Sequence, residues 1–171
     1  MRKWKVSKTI QWIIKLFIIY LCMFTAFRIA TVILFKPKNI SVLELAPSFW
    51  LGLKYDLRWI AIVLSPIIVL SIFKKFSPFH SARTKKAWTI YLAIITLVIM
   101  FFYGADFGNF SYNHTRIGAS ALNFKDDPYE MFRMVWESYP IVWILIGLGI
   151  AVFFAAQLFR RTHGTVDANN Y

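Results

Sequence analysis

The sequence predicts an all-α polytopic membrane protein with four transmembrane helices and short interfacial helices in the external loops. Four long apolar stretches each approach or exceed the roughly 20 residues that a helix needs to cross a bilayer. The segments that flank them alternate between strongly basic and mixed composition, which is typical of a multi-pass protein with a fixed orientation. Hydrophobic residues make up 58% and aromatic residues 19% of the 171 residues, more than is usual in soluble domains. Residues 1–171 are therefore predicted to form a single transmembrane domain.

The predicted spans differ in how much charge they contain. The third and fourth contain none, and the first contains only Lys15 and Arg28. The second has an uncharged core of only fifteen residues, from Trp59 to Phe73, so its helix is expected to begin earlier and to carry charges into the outer membrane region. Pro66 is expected to kink that helix. The four spans lie at about 10–35, 49–73, 87–105 and 138–159.

The charges outside the spans predict the orientation of the chain. Three segments are basic: the one before span one, the one between spans two and three, and the one that follows span four with Arg160 and Arg161. Only the distant Asp167 adds an acid to them, whereas the other two loops mix acidic and basic residues. Because cytoplasmic loops carry the excess of Lys and Arg, both termini are predicted to lie in the cytoplasm.

The net charge of +12 does not by itself indicate a nucleic-acid-binding protein. The basic residues cluster at the ends of apolar spans rather than along one face of a polar helix, so orientation and contact with anionic phospholipid explain them better. No nucleic acid is expected as a partner, and the sequence leaves the oligomeric state open. Cys22 is the one cysteine, which excludes an intrachain disulfide. No catalytic, cofactor-binding or metal-binding motif is found.

Each external loop is predicted to contain a short helix. Ser41 and Glu44 form a capping pattern in the first loop, and Pro47 is expected to limit the helix that it starts. In the second loop, Asp127 and Pro128 form a helix start. The apolar face that follows suits a helix lying in the membrane interface; its residues are Phe132, Val135, Trp136 and Tyr139.

Charged residues inside the apolar spans are the candidate functional residues. Arg28 lies seven residues before the outer end of span one, about 10 Å deep, while Asp56 and Arg58 belong to the outer part of span two. Asp106 closes span three, and it begins a polar pattern at helical spacing that continues through Asn109 and Asn113 if the helix continues outward. The residues predicted to converge on the outward-facing side are Arg28, Asp56, Arg58, Asp106 and Arg116.

Two interpretations of this cluster remain open. In the structural one, Arg28 pairs with Asp56 or Asp106 and holds helices together, because an unpaired charge in the membrane costs at least ~2.5 kcal/mol. In the functional one, Arg28, Arg58 and Arg116 bind an anionic lipid headgroup, since guanidinium groups match phosphate oxygens. The two are compatible if the acids hold the arginines in place.

Several short motifs resemble the membrane domain of lipoteichoic-acid-synthase-like proteins of the sulfatase superfamily. The segment Gly52–Arg58, which leads into span two, resembles the Gly-Leu-Arg-Phe-Asp-Leu motif of that family. Phe27 and Arg28 fit as well, and Asp106–Tyr112 followed by Arg116 is similar to the acidic and aromatic stretch of the family.

The resemblance implies that this chain anchors an enzyme of the bacterial cytoplasmic membrane and itself has no catalytic residue. Enzymes of the family transfer phosphoglycerol or phosphoethanolamine from a lipid, or cleave sulfate or phosphate esters. Such proteins have a fifth membrane helix and then a catalytic domain with a threonine nucleophile and a divalent metal such as manganese. This sequence would be a truncated member, without cofactor, that anchors the enzyme and presents a lipid headgroup. The alternative is a non-enzymatic small four-helix membrane protein, either an assembly factor or a transporter subunit.

Overall fold

The computed structural model describes residues 7–36, 41, 43–113, 129, 133, 136–137, 139 and 141–168. These residues are almost entirely helical, and none of them lies in a β-strand, which confirms the predicted all-α class for this part of the chain. Single turns of 3-10 helix lie at Leu43–Leu45 and Lys74–Phe76. The long helices are α1 (Lys8–Phe35), α2 (Ala46–Leu70), α3 (Ala82–Asn113) and α4 (Ile141–Ala168).

Three of these helices are long and apolar enough to cross a membrane. They are α1, α3 over Ala82–Ser111, and α4 over Ile141–Val166. The chain is therefore a multi-pass membrane protein by the length and composition of its helices. The helix α2 is long enough but more polar than these three, because it carries Lys54, Asp56 and Arg58 in its first half. Every 18-residue stretch of it therefore contains three charges.

The helix boundaries differ from the predicted spans. Pro47 does not end a helix in the first loop but lies in the first turn of α2, where its missing N–H costs nothing. The helix α3 extends beyond Ala105 to Asn113. The helix α4 continues past Phe159 to Ala168, because the side of the helix that packs in the protein extends into the more polar sequence after Phe159. In the second external loop, Asp127 and Pro128 lie outside the described residues.

Pro66 lies inside α2, and a neighbouring side chain compensates for it. Proline has no N–H to donate to the carbonyl group four residues earlier, which here belongs to Ile62. The Ser65 hydroxyl donates to that carbonyl oxygen over 2.9 Å. Such a substitute donor allows the helix to continue through proline to Leu70.

The chain divides into two compact units. The first comprises Met1–Leu92 and Ala156–Tyr171, and the second comprises Ala93–Ala155. In the second unit, the Tyr139 hydroxyl donates to the carbonyl oxygen of Gly108 over 3.3 Å. A side chain on Gly108 would meet the Tyr139 ring at 3.3 Å, so glycine permits this contact. Tyr139 thus ties the segment before α4 to α3.

The core of the first unit follows a four-residue period along α1. The buried positions are Trp12, Leu16, Tyr20 and Phe24. Isoleucines on another side of the same helix, such as Ile14 and Ile18, are about half exposed. Since water is excluded from the bilayer core, an exposed isoleucine stripe on a spanning helix faces lipid at no cost. The aromatic stripe instead packs in the protein, where the Tyr20 ring stacks on Phe159 of α4.

Three chain segments that are basic in sequence meet at one end of the first unit. The hydroxyl oxygens of Thr9 at the start of α1 and Ser77 in the α2–α3 loop lie 3.5 Å apart. Near the end of α4, Nε2 of His163 lies 2.9 Å from the carbonyl oxygen of Pro78 in the same loop. A carbonyl group only accepts, so Nε2 carries the proton. Lys15 donates from Nζ to the hydroxyl of Thr165 over 2.7 Å.

Candidate functional site

The candidate site is a charged pair that joins α1 to α2. Arg28 donates from Nη2 to Oδ2 of Asp56 over 2.5 Å. The exposed fraction is 18% for the Arg28 side chain and 7% for Asp56. Asp56 is one of the two partners predicted for Arg28, and the structure shows this pair. Neutralisation within the pair removes the large penalty of an isolated charge in an apolar environment.

A backbone carbonyl group completes the environment of Arg28. The other terminal nitrogen, Nη1, donates to the carbonyl oxygen of Phe49 over 2.7 Å. The guanidinium carbon also lies 5.9 Å from the centre of the Phe49 ring. Phe49 and Asp56 are two helical turns apart, so they lie on the same face of α2. Two donors of Arg28 therefore span that face and orient the guanidinium group.

Gly52 provides the space that Arg28 occupies. A Cβ atom at this position would collide with the Arg28 guanidinium group, which the two hydrogen bonds hold in place. Sequence reasoning used Gly52 only as part of a motif and did not find this role. The signal that could have revealed it is the glycine itself, because an interior helical glycine costs about 1 kcal/mol relative to alanine and usually has a packing reason.

Arg58 lies on a different side of α2 from the pair. Two residues advance a helix by about 200°, so Asp56 and Arg58 cannot share a face. Arg58 is exposed, with its guanidinium carbon 5.6 Å from the centre of the Tyr55 ring. Lys54 is similarly exposed, with Nζ 5.5 Å from the centre of the Trp50 ring. Lys54 and Arg58 thus form an exposed basic surface on the first half of α2, apart from the Arg28–Asp56 pair.

The remaining predicted site residues do not belong to the first unit. Asp106 is partly buried on α3 in the second unit. Because α3 is continuous to Asn113, the positions of Asp106, Asn109 and Asn113 follow one side of a helix. Arg116 lies outside the described residues. The convergence of Asp106 and Arg116 with the Arg28–Asp56 pair stays a prediction.

The described residues of the candidate site offer charged groups that can bind a ligand or position a helix. Among them, no group of three or more His, Cys, Asp or Glu side chains is placed to hold a metal ion. The divalent metal implied by the family resemblance would belong to the catalytic domain, and the described part of this chain has no donor set that fits it.

Comparison with known proteins gives no match to a family model, to a curated protein or to a solved structure. The resemblance to sulfatase-superfamily membrane domains is therefore a hypothesis that rests on short motifs alone. The geometry gives a physical role to one of these motifs, Gly52–Arg58. Asp56 accepts a hydrogen bond from Arg28, and Gly52 leaves the space that the Arg28 guanidinium group occupies.

Proposed function

We propose that this chain is a four-span anchoring module of the bacterial cytoplasmic membrane, with both termini in the cytoplasm. The observation that carries the proposal is that α2 returns the chain along the length of α1. Arg28 binds the first half of α2, while Thr9 contacts Ser77, in the loop after α2. Thr9 and Arg28 are nineteen residues apart on one helix, about 28 Å at 1.5 Å per residue. That distance approaches the roughly 30 Å of the hydrocarbon core.

The charges of α2 are compatible with a crossing. Asp56 is neutralised by Arg28, so the pair enters the outer membrane region without a net charge. Lys54 and Arg58 lie in the same outer part and have long side chains that reach toward the headgroups. Their aromatic neighbours, Trp50 and Tyr55, are residue types that prefer that level.

The positions of the basic segments support the orientation. The start of α1, the α2–α3 loop and the end of α4 contact one another, and all three are rich in Lys and Arg. The positive-inside rule assigns such segments to the cytoplasm. Fusions of a fluorescent protein and of a periplasmic phosphatase after residue 171 test this: we expect fluorescence without phosphatase activity. Phosphatase activity without fluorescence would refute the even number of crossings.

The family resemblance supports the further proposal that the module anchors a sulfatase-superfamily transferase and presents an anionic lipid headgroup at the outer surface. The geometry favours a division of roles among the arginines. Arg28 is engaged by Asp56 and Phe49 and positions α2, whereas Lys54 and Arg58 are exposed cations beside aromatic rings. Exposed guanidinium and ammonium groups are suited to bind phosphate oxygens.

Lipid co-purification tests the headgroup proposal. We expect Arg58→Ala to reduce the phospholipid that remains bound to the purified chain without lowering its thermal stability. Arg133→Ala is a suitable control, since Arg133 is an exposed arginine paired with Glu137 over 2.9 Å. Equal lipid retention by Arg58→Ala, Arg133→Ala and the unchanged chain would remove the proposal. The non-enzymatic alternative predicts that the module is produced and stable without any catalytic domain.

A further inference from the structure

The end of the first unit opposite Arg28 contains an open depression with basic walls. It has a volume of about 570 Å³ and is lined by Lys75, His80, Ser81, Ala82, Arg83 and Thr84. Lys75 and Arg83 are exposed, and the segment 74–86 contains no acidic residue. Among the described residues, no hydrogen bond or ion pair is formed by the side chain of Lys75 or Arg83. The depression thus presents two cations that are available to a ligand.

The depression is built on a loop that its neighbours hold in place. Trp88 of α3 donates from Nε1 to the carbonyl oxygen of Phe76 over 2.8 Å. His163 of α4 contacts Pro78, and its ring stacks on Phe79 with centres 4.2 Å apart. A loop fixed by contacts to other helices pays less ordering entropy when it binds a ligand. The cations are therefore held by a pre-organised backbone.

The start of α3 is already capped and does not need an anion. The Thr84 amide donates to the Ser81 hydroxyl over 3.2 Å, and the Ser81 amide donates to the Thr84 hydroxyl over 3.0 Å. These reciprocal bonds satisfy donors that an anion would otherwise reach. Recognition of a ligand must therefore come from the side chains of Lys75 and Arg83.

Exposed apolar side chains next to the depression indicate what the ligand is. Ile72 is 77% exposed, Phe73 59% and Phe76 46%, and they lie directly around Lys74 and Lys75 in sequence. The loop joins the end of one membrane helix to the start of another, so these side chains lie where acyl chains begin. A ligand that matches both features has an anionic headgroup and apolar tails. Free phosphate or a nucleotide would leave the apolar residues uncovered.

We propose that this depression binds the headgroup of an anionic phospholipid of the cytoplasmic leaflet, with Lys75 and Arg83 on the phosphate and Phe73 and Phe76 beside the acyl chains. The assignment to that leaflet rests on the orientation proposed above, whereas the lipid site itself rests only on the loop lying at a membrane surface. The site is distinct from the outer surface of α2, because it lies at the other end of the first unit.

Competition between lipids in nanodiscs tests the site. The purified chain of 171 residues is placed in mixed phosphatidylglycerol and phosphatidylcholine discs at 0.15 M salt, and the retained lipid is counted by native mass spectrometry. We expect preferential retention of phosphatidylglycerol. Each cation in direct contact with the headgroup contributes a factor of roughly five, so Lys75→Gln with Arg83→Gln should weaken retention about 25-fold.

A second pair of lysines provides the matched control. Lys74→Gln with Lys86→Gln removes the same charge from exposed positions that do not line the depression, and at this salt concentration its effect should stay within about threefold. The exchange of Lys75→Arg with Arg83→Lys should retain binding, which separates recognition from misfolding. Equal losses in both glutamine pairs would overturn the proposal, as would displacement of the lipid by millimolar soluble glycerol phosphate.

The leaflet assignment has a separate outcome. If a cysteine in this loop is labelled from outside the cell while the lipid preference persists, the site stands and the topology is wrong. If the loop is cytoplasmic and the preference is absent, the topology stands and the site is wrong.

Discussion

Replacement of Arg28 by methionine should destabilise the chain strongly. Arg28→Met leaves the Asp56 carboxylate, which is 7% exposed, without its cation. Breaking a buried ion pair from one side costs about 3–5 kcal/mol. Because the Arg28 side chain is 18% exposed, some solvent screening remains, and we expect the lower end, about 3 kcal/mol. That corresponds to roughly a 100-fold loss in the ratio of folded to unfolded chain.

The assay is SDS-induced unfolding of the purified chain in mixed micelles, followed by far-UV circular dichroism. Arg58→Met is the matched control, because Arg58 lies on the same outer region but is exposed and contacts only the Tyr55 ring among the contacts described. An exposed cation–aromatic contact contributes about 0.5–1 kcal/mol, so the control should lose no more than that.

The double variant Arg28→Met with Asp56→Leu separates pairing from packing. Replacing a buried pair by apolar residues of similar size is often neutral or stabilising, so the double variant should be more stable than Arg28→Met alone. If Arg28→Met and Arg58→Met lose the same stability, or if the two changes at the pair simply add, the pair does not hold α1 to α2.

Two further predictions concern residues that permit the α2 geometry. Gly52→Ala should lower the free energy of unfolding by about 1–3 kcal/mol, because its Cβ displaces the paired guanidinium group of Arg28. Gly147→Ala is the control: its Cβ meets open space, so it should be neutral or stabilising by up to about 1 kcal/mol. In an Arg28→Ala background the cost at Gly52 should vanish, and a persistent cost in SDS unfolding would contradict the explanation. Ser65→Ala should lower the free energy of unfolding by about 1 kcal/mol, because the Ile62 carbonyl loses its donor. In a Pro66→Ala background the backbone amide of residue 66 can donate instead, so the same change should have almost no effect. Equal losses in both backgrounds would argue against compensation by Ser65.

Much of the helical architecture follows from the sequence, because a bilayer leaves few alternatives to a helix for a long apolar stretch. The spans of α1, α3 and α4 were therefore predictable from apolar length alone. The ends of the helices were not. The helix α4 continues through Arg160 and Arg161, since Phe159, His163 and Val166 follow one another at four and three residues and all three are buried. The packing role of His163, which is buried on this face, has no signal in the sequence pattern.

The candidate site was predictable in part. Depth and charge identified Arg28 and Asp56, and the cost of an unpaired charge predicted that Arg28 would find an acid. Which acid it finds depends on how the helices are rotated, and that information is absent from a single sequence. The separation of Arg58 from Asp56 could have been foreseen, because residues two positions apart on a helix cannot share a face. The role of Gly52 could not, because it depends on the position of a side chain from another helix.

The central claim is that α2 crosses the membrane in spite of its charges. Cys22 is the one cysteine of the chain, so Cys22→Ala gives a background in which a single cysteine is added at Ser48, at the start of α2, or at Ser81, before α3. Intact cells are treated with a maleimide that cannot cross membranes. We predict that the cysteine at position 48 is labelled and that the one at position 81 is labelled only after the membrane is opened. Labelling of both positions in intact cells would place them on the same side and contradict a crossing by α2.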